Sequence, residues 1–316
     1  MTLCRMLAMT AAACGFLLGG AAVAAGITVH DARNRDVTIN DPARIVSIGG
    51  AITEILYALG FEDRLAGVDA TSLYPTAARA KPNVGYMRQL SAEGVLGLNP
   101  SLVLAVQGSG PKEAMDLLEA AKVPLVLVPE IFSEQGLLDK IRMVGHAMDA
   151  DKRAECLTAV VTDDLAQLRS LRAKVTKPVR VMFVMSMLNG RAMAAGHRTA
   201  ANEIIALAGG VNAIDGYDGY KIINDEAIVA AKPDVVLSID RGKDSVDAEA
   251  VYAHPAFALT PVVANKAFIS MEGLYLLGFG PRTAAAARDL SIKLYPALAP
   301  QAEKFSPAAL TVNCRQ

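Results

Sequence analysis

The chain has 316 residues, 53% apolar and 20% charged, with a formal net charge of −1. That balance excludes a disordered chain and leaves no basic footprint for nucleic acid. Tryptophan is absent and aromatics make up only 5%, which argues against stacking platforms for carbohydrate. The length is close to that at which a single core divides into two.

The first residues, 1–24, read as a targeting segment. Arg5 supplies a positive start, Leu7 to Leu18 is an apolar run, and Ala22-Val23-Ala24 fits a small-residue cleavage site. The run is short for a membrane span and no stop-transfer pattern follows, so the sequence predicts export and a mature chain from Ala25. Cys4 and Cys14 would leave with the signal. Cys156 and Cys314 remain, and an oxidising compartment permits either a disulfide or two separate thiols.

Residues 27–29 and 37–39 read as a short β arm. Arg44 to Ile48 is a buried strand ended by Gly49-Gly50, and Thr53 is placed to cap a helix from Glu54 to about Leu59, stopped by Gly60. Leu65 to Val68 is the next strand. Asn83 and Gly85 then disfavour regular structure, while Ser91 and Glu93 suit a helix start. Tyr86 and Arg88 therefore belong to a loop just ahead of a helix, where open α/β domains place ligands. A helix from Glu93, a strand at 102–106, a helix at 111–121 and a strand at 123–128 complete a first α/β lobe over 27–150.

Residues 134–148 and 151–174 read as helices, the second long enough to connect two lobes. The pattern restarts with a strand at 178–185, a loop to His197 and a helix at 199–208. A helix at 227–231, strands at 235–239 and 267–270, and a closing helix at 283–294 follow. This second lobe covers 178–298, with a polar tail over 299–316. The expected fold class is α/β, with two Rossmann-like lobes joined by a single long helix.

The two halves echo each other. Thr53-Glu54-Ile55-Leu56 answers Asn202-Glu203-Ile204-Ile205, and Leu98-Asn99-Pro100 answers Ala231-Lys232-Pro233, in the same order. Two lobes enclose a cleft, and a cleft without a catalytic motif is a binding site by default. No glycine-rich dinucleotide loop, phosphate-binding loop or zinc-protease motif is present. His30, His146, His197 and His254 are too dispersed for a multi-histidine metal site; only His197 lies on a loop that could face the cleft.

Three segments carry a resemblance: Arg44 to Ile55, Val84-Gly85-Tyr86-Met87-Arg88-Gln89-Leu90-Ser91-Ala92-Glu93-Gly94, and Leu274 to Thr283. Together they resemble the periplasmic haem-binding proteins of bacterial haem ABC importers, of the class III, cobalamin and siderophore type. The Gly-Tyr-Met-Arg segment is the haem-specific part. The resemblance implies a monomeric periplasmic carrier, not an enzyme, that holds ferric haem between its lobes. It would deliver haem to an inner-membrane permease dimer with its ATPase. By segment match, Tyr86 would be the axial iron ligand and Arg88 its charged neighbour. Phenolate is a hard anionic donor suited to ferric haem, and iron and a nearby guanidinium both favour the ionised form. Some relatives add a histidine where this chain reads Val184-Met185-Ser186-Met187-Leu188. None stands there, which leaves the far side of the iron open or filled by Met185, Met187 or His197. The resemblance further implies that Glu54 and Glu203 dock onto permease arginines, one from each lobe. A siderophore or cobalamin binder of the same architecture and an exported α/β enzyme are the alternatives.

Overall fold

The computed structural model describes residues 26–311 and 313–315; the targeting segment and its cleavage site lie outside them. Strands β1 (Ile27–His30) and β2 (Asp36–Ile39) form an antiparallel arm. The arm is tied to the first lobe by the Ala32 N–H, which donates to the Leu127 carbonyl at 2.8 Å.

The first lobe runs β3 (Ile45–Ile48), α1 (Gly50–Ala58), β4 (Leu65–Val68), α2 (Ala92–Leu96), β5 (Leu102–Val106), α3 (Lys112–Ala120), β6 (Leu125–Val128) and α4 (Glu134–Ala147). Its four strands are parallel, in the order β4-β3-β5-β6. Every residue of β3, β5 and β6 is buried, as expected of a sheet covered on both faces. The strand order reverses beside β3, so the crevice lies at the carboxyl ends of β3 and β5.

One helix start differs from the sequence reading. Helix α1 begins at Gly50, not after Thr53. Gly49 turns the chain out of β3 with φ 115°, a conformation that glycine tolerates and β-carbon-bearing residues resist. Thr53 caps nothing; its hydroxyl is 2.8 Å from that of Ser47 and 2.7 Å from that of Ser72. Glu54 therefore lies one turn into the helix rather than at its start.

Helix α5 (Asp151–Arg172) has 22 residues, a length of about 33 Å at 1.5 Å per residue, enough to run beside both lobes. Cys156 on α5 forms a disulfide with Cys314, which decides between the two cysteine alternatives. The tail is fixed further by buried Asp164, which accepts the Ala308 and Ala309 N–H groups at 2.9 and 3.0 Å. Arg315 reaches Glu62 of the first lobe at 2.7 Å.

The second lobe comprises β7 (Arg180–Leu188), β8 (Arg191–Ala195), α6 (Ala200–Leu207), β9 (Val211–Asn212), β10 (Tyr220–Ile222), α7 (Asp225–Ala231) and β11 (Val235–Asp240). It continues with α8 (Ala248–Tyr252), α9 (Pro255–Ala258), α10 (Pro261–Ala264), β12 (Phe268–Glu272), α11 (Gly273–Leu277) and α12 (Thr283–Leu294). Strands β7, β11 and β12 are parallel neighbours; β8 extends the sheet antiparallel to β7, and β10 pairs antiparallel with β8. The stretch expected to be a loop up to His197 is thus a hairpin. Asn189 and Gly190 take φ 50° and 73°, consecutive left-handed residues of the kind that match the twist of a tight hairpin.

One core cluster crosses between the lobes, joining Ile52 and Leu56 of α1 to Phe183, Ile204 and Leu290. Each lobe has a second cluster on the far side of its sheet. Among the described residues no helix is long and apolar enough to cross a membrane.

Candidate binding cleft

The loop that carries Tyr86 is laced along the carboxyl ends of the first-lobe strands. The Val84 N–H donates to the Val68 carbonyl at 2.9 Å and the Ala70 N–H to the Gly85 carbonyl at 2.8 Å. On the other side, the Gly110 N–H donates to the Met87 carbonyl and the Leu90 N–H to the Gly110 carbonyl, both at 2.9 Å. Gly85, with φ 93°, makes the bend, and the Gln89 N–H closes a turn onto the Tyr86 carbonyl at 2.8 Å. Tyr86 and Arg88 thus stand on a braced rim at the topological switch of the sheet.

Tyr86 is 40% exposed, and Arg88 Nη1 donates to its Oη at 3.4 Å. An aromatic left this open on a braced turn is available to a ligand. Leu73, Tyr74 and Ile131, on the loops after β4 and β6, are also exposed along this edge.

The opposite wall is the antiparallel extension of the second lobe. Tyr220 and Ile222 of β10 pair with Ala195 and Met193 of β8, and alternation places these four on one face. Tyr220 is 37% exposed and its ring meets Phe183 edge-on at 6.2 Å. Burial pushes its phenol up to about 12, although the charge of Arg88, the Ala201 amide and the Thr199 hydroxyl all favour ionisation.

Of the other expected site residues, Met187 leaves this face. Met187 pairs with fully buried Ala192, on the face opposite to Tyr220, and packs with the second lobe's own core. Met185 is half-buried against the shared core, and its carbonyl accepts from exposed Arg241 Nη2 at 2.7 Å. His197 is exposed, but Nε2 lies 3.0 Å from the Asp215 carbonyl oxygen. The sequence reading missed Tyr220 and Met193. The Asn-Gly pair at 189–190 was the signal that would have turned their segment into a ribbon.

The expected docking pair needs a larger correction. Glu54 is buried, 5% exposed, and its Oε2 lies 3.0 Å from Arg282 Nη2. Burial pushes its carboxyl above its ordinary range, against the opposing pull of Arg282. Glu203 is half-buried and accepts from Asn202 Nδ2 at 3.0 Å. Neither carboxylate stands free on the rim. A different matched pair does. Glu93 and Glu226 are exposed in the first turns of α2 and α7, after the side-chain caps Ser91 and Asn224. Each lies seven residues ahead of the proline in the internal echo, Pro100 or Pro233. Helix α2 follows the Tyr86 loop and α7 follows the strand of Tyr220, so both acids flank the cleft.

Residues 45–273 match the family described as "Periplasmic binding protein". The structure of periplasmic heme-binding protein BhuT in complex with two hemes is similar, with 39% identity and a TM-score of 0.76, covering 81% of this chain and 98% of that one. Periplasmic heme-binding protein RhuT from Roseiflexus sp. RS-1, in apo form, shares 39% identity at a TM-score of 0.77 with the same coverage. A vitamin B12-binding protein of Yersinia pestis (strain Pestoides F) is 26% identical over 270 residues, covering 82% of this chain and 89% of the relative.

Proposed function

This chain belongs to the periplasmic binding protein family, and on that premise we propose that it carries ferric haem in the interlobe cleft and delivers it to an inner-membrane ABC permease. It is a carrier, not an enzyme. The observation that supports this reading best is Tyr86, an exposed phenol on a braced rim with a guanidinium on its oxygen and an apolar wall across the cleft. The haem-binding relatives at 39% identity favour haem over cobalamin, whose named binder stands at 26%.

The residues suit the cargo. Tyr86 would ligate the iron as phenolate, and Arg88 would hold that oxygen. Haem is an apolar plate with two carboxylate tails. Burying the plate against Tyr220, Ile222 and Met193 contributes about 25 cal/mol per Å2 of apolar surface. Exposed Arg241 can meet a propionate. No histidine stands at 184–188, so the iron would be high-spin, five- or six-coordinate. We assign docking on the permease dimer to Glu93 and Glu226 in place of Glu54 and Glu203.

Titration of the mature protein with ferric haem tests the reading. The expected result is one-to-one binding with the charge-transfer band of a phenolate ligand, absent from Y86A. A low-spin spectrum, or the same band in Y86A, would place the ligand elsewhere.

A further inference from the structure

The seam between the lobes is held by charge, which is costly to bury without a partner. Besides the Glu54–Arg282 pair, the Arg282 backbone N–H donates to Glu54 Oε1 at 3.1 Å. Fully buried Lys140 of α4 donates to the Phe279 carbonyl at 3.3 Å and to Glu130 at 2.7 Å. The first lobe thus grips the second-lobe segment Phe279–Thr283 twice, by a carboxylate on its N–H and an ammonium on its carbonyl. Phe279 is left-handed at φ 49°, a conformation that bulky residues avoid, and its ring meets Phe132 of the first lobe at 5.3 Å.

The same segment reaches the cleft. The Arg282 guanidinium lies 3.6 Å from the centre of the Tyr74 ring on the first-lobe rim and 5.0 Å from that of Tyr275 on α11. Tyr275 donates to Asp289 at 2.8 Å, and Arg288 links Asp289 to the Phe305 carbonyl in the tail at 2.8 Å. Arg282 Nη2 has the distance but not the alignment of a hydrogen bond to Glu54, and Nε has no acceptor among the described residues. A small rotation of one lobe can change how this guanidinium is satisfied.

We propose that Phe279–Thr283 is an interlobe latch, and that Arg282 is a positioning residue that sets how readily the cleft opens and releases its cargo. A packed seam with a strained residue and a partly aligned ion pair favours discrete lobe positions over continuous flexing. Tyr74 gives the latch a contact at the rim. The effect on cargo release rests on the haem reading; the lobe motion does not.

The test therefore begins without haem. Nitroxide labels at exposed Glu113 and Glu249 (E113C and E249C), one on each lobe, report the interlobe distance by pulsed electron resonance. R282M is expected to broaden the distance distribution, R282K to restore most of it, and E54Q to act as a milder form of R282M. With haem loaded, R282M should raise the rate of transfer to apomyoglobin about fivefold or more, with the charge-transfer band unchanged. An unchanged distance distribution in both R282M and E54Q would overturn the latch, even if their melting temperatures fell. If R282M does not fold, E54Q and R282K decide the matter. Failure of wild type to bind haem would sink the haem reading alone, because the haem-free distances still judge the latch.

Discussion

The two lobes repeat one strand-helix rhythm but bring different chemistry to the cleft. The first is all parallel and offers a braced loop with an exposed phenol and a guanidinium. The second adds an antiparallel ribbon and offers an apolar face whose phenol, Tyr220, is made harder to ionise. On the proposed reading, ligation would belong to one wall and enclosure to the other. At α2 and α7 the lobes become alike again, each with a free carboxylate beside the cleft. The repeat is kept at these helix starts and lost across the cleft.

The largest expected effect tests that outer symmetry. E93A and E226A should each bind haem normally and lose part of their transport in vesicles that carry the cognate permease and ATPase. The double mutant should fall by about tenfold or more, because charge pairs set encounter and orientation. The helices themselves should lose only about 0.3–1 kcal/mol each from their first-turn charge. Full transport by E93A/E226A would confine the lobe likeness to folding.

Within the cleft, R88A sharpens the asymmetry. Loss of one charge-assisted hydrogen bond costs about 1.5–3 kcal/mol, and the open position and 3.4 Å length of this one point to the low end. Haem affinity, measured by transfer to a strong acceptor, should fall about tenfold, with a shifted but recognisable phenolate band. If neither affinity nor spectrum moves, Arg88 is a surface residue and the first wall has no electrostatic advantage over the second.

Much of this arrangement was legible because its signals are local. Strand β5 and helices α4, α5 and α12 follow from apolar runs and from helical periodicity within their own segments. Tyr86 stood out through its segment, and the glycine and asparagine before it made the loop readable. Strand β10 carries no such mark. Its three residues are exposed, and only pairing with β8 makes Tyr220 part of a wall. The burial of Glu54 was equally hidden, because its partner Arg282 lies 228 residues away. A carboxylate in an apolar helix reads alike whether it meets solvent or a distant arginine. The echo paired two carboxylates that the fold leaves buried or half-buried, since repeat logic locates equivalent positions without telling which are exposed.

The smallest expected effect concerns Tyr220. Its pKa is raised, so the fold favours the neutral phenol. The stability this contributes is fully present below the ordinary value of about 10 and is lost as pH rises from there to about 12. The shift makes Tyr220 harder to ionise, so it should compete poorly with Tyr86 for iron. Y220F should leave the phenolate charge-transfer band in place and lower haem affinity by about 1 kcal/mol or less, the value of one ordinary hydrogen bond. In the haem-free protein, an alkaline titration followed by phenolate absorbance should lose its step near pH 12 in Y220F. Tyr275, buried and bonded to Asp289, is also raised and should still titrate late in that variant. A Y220F spectrum that loses the charge-transfer band, as Y86A is expected to, would mean that both walls supply a ligand and that the division between ligation and enclosure is wrong.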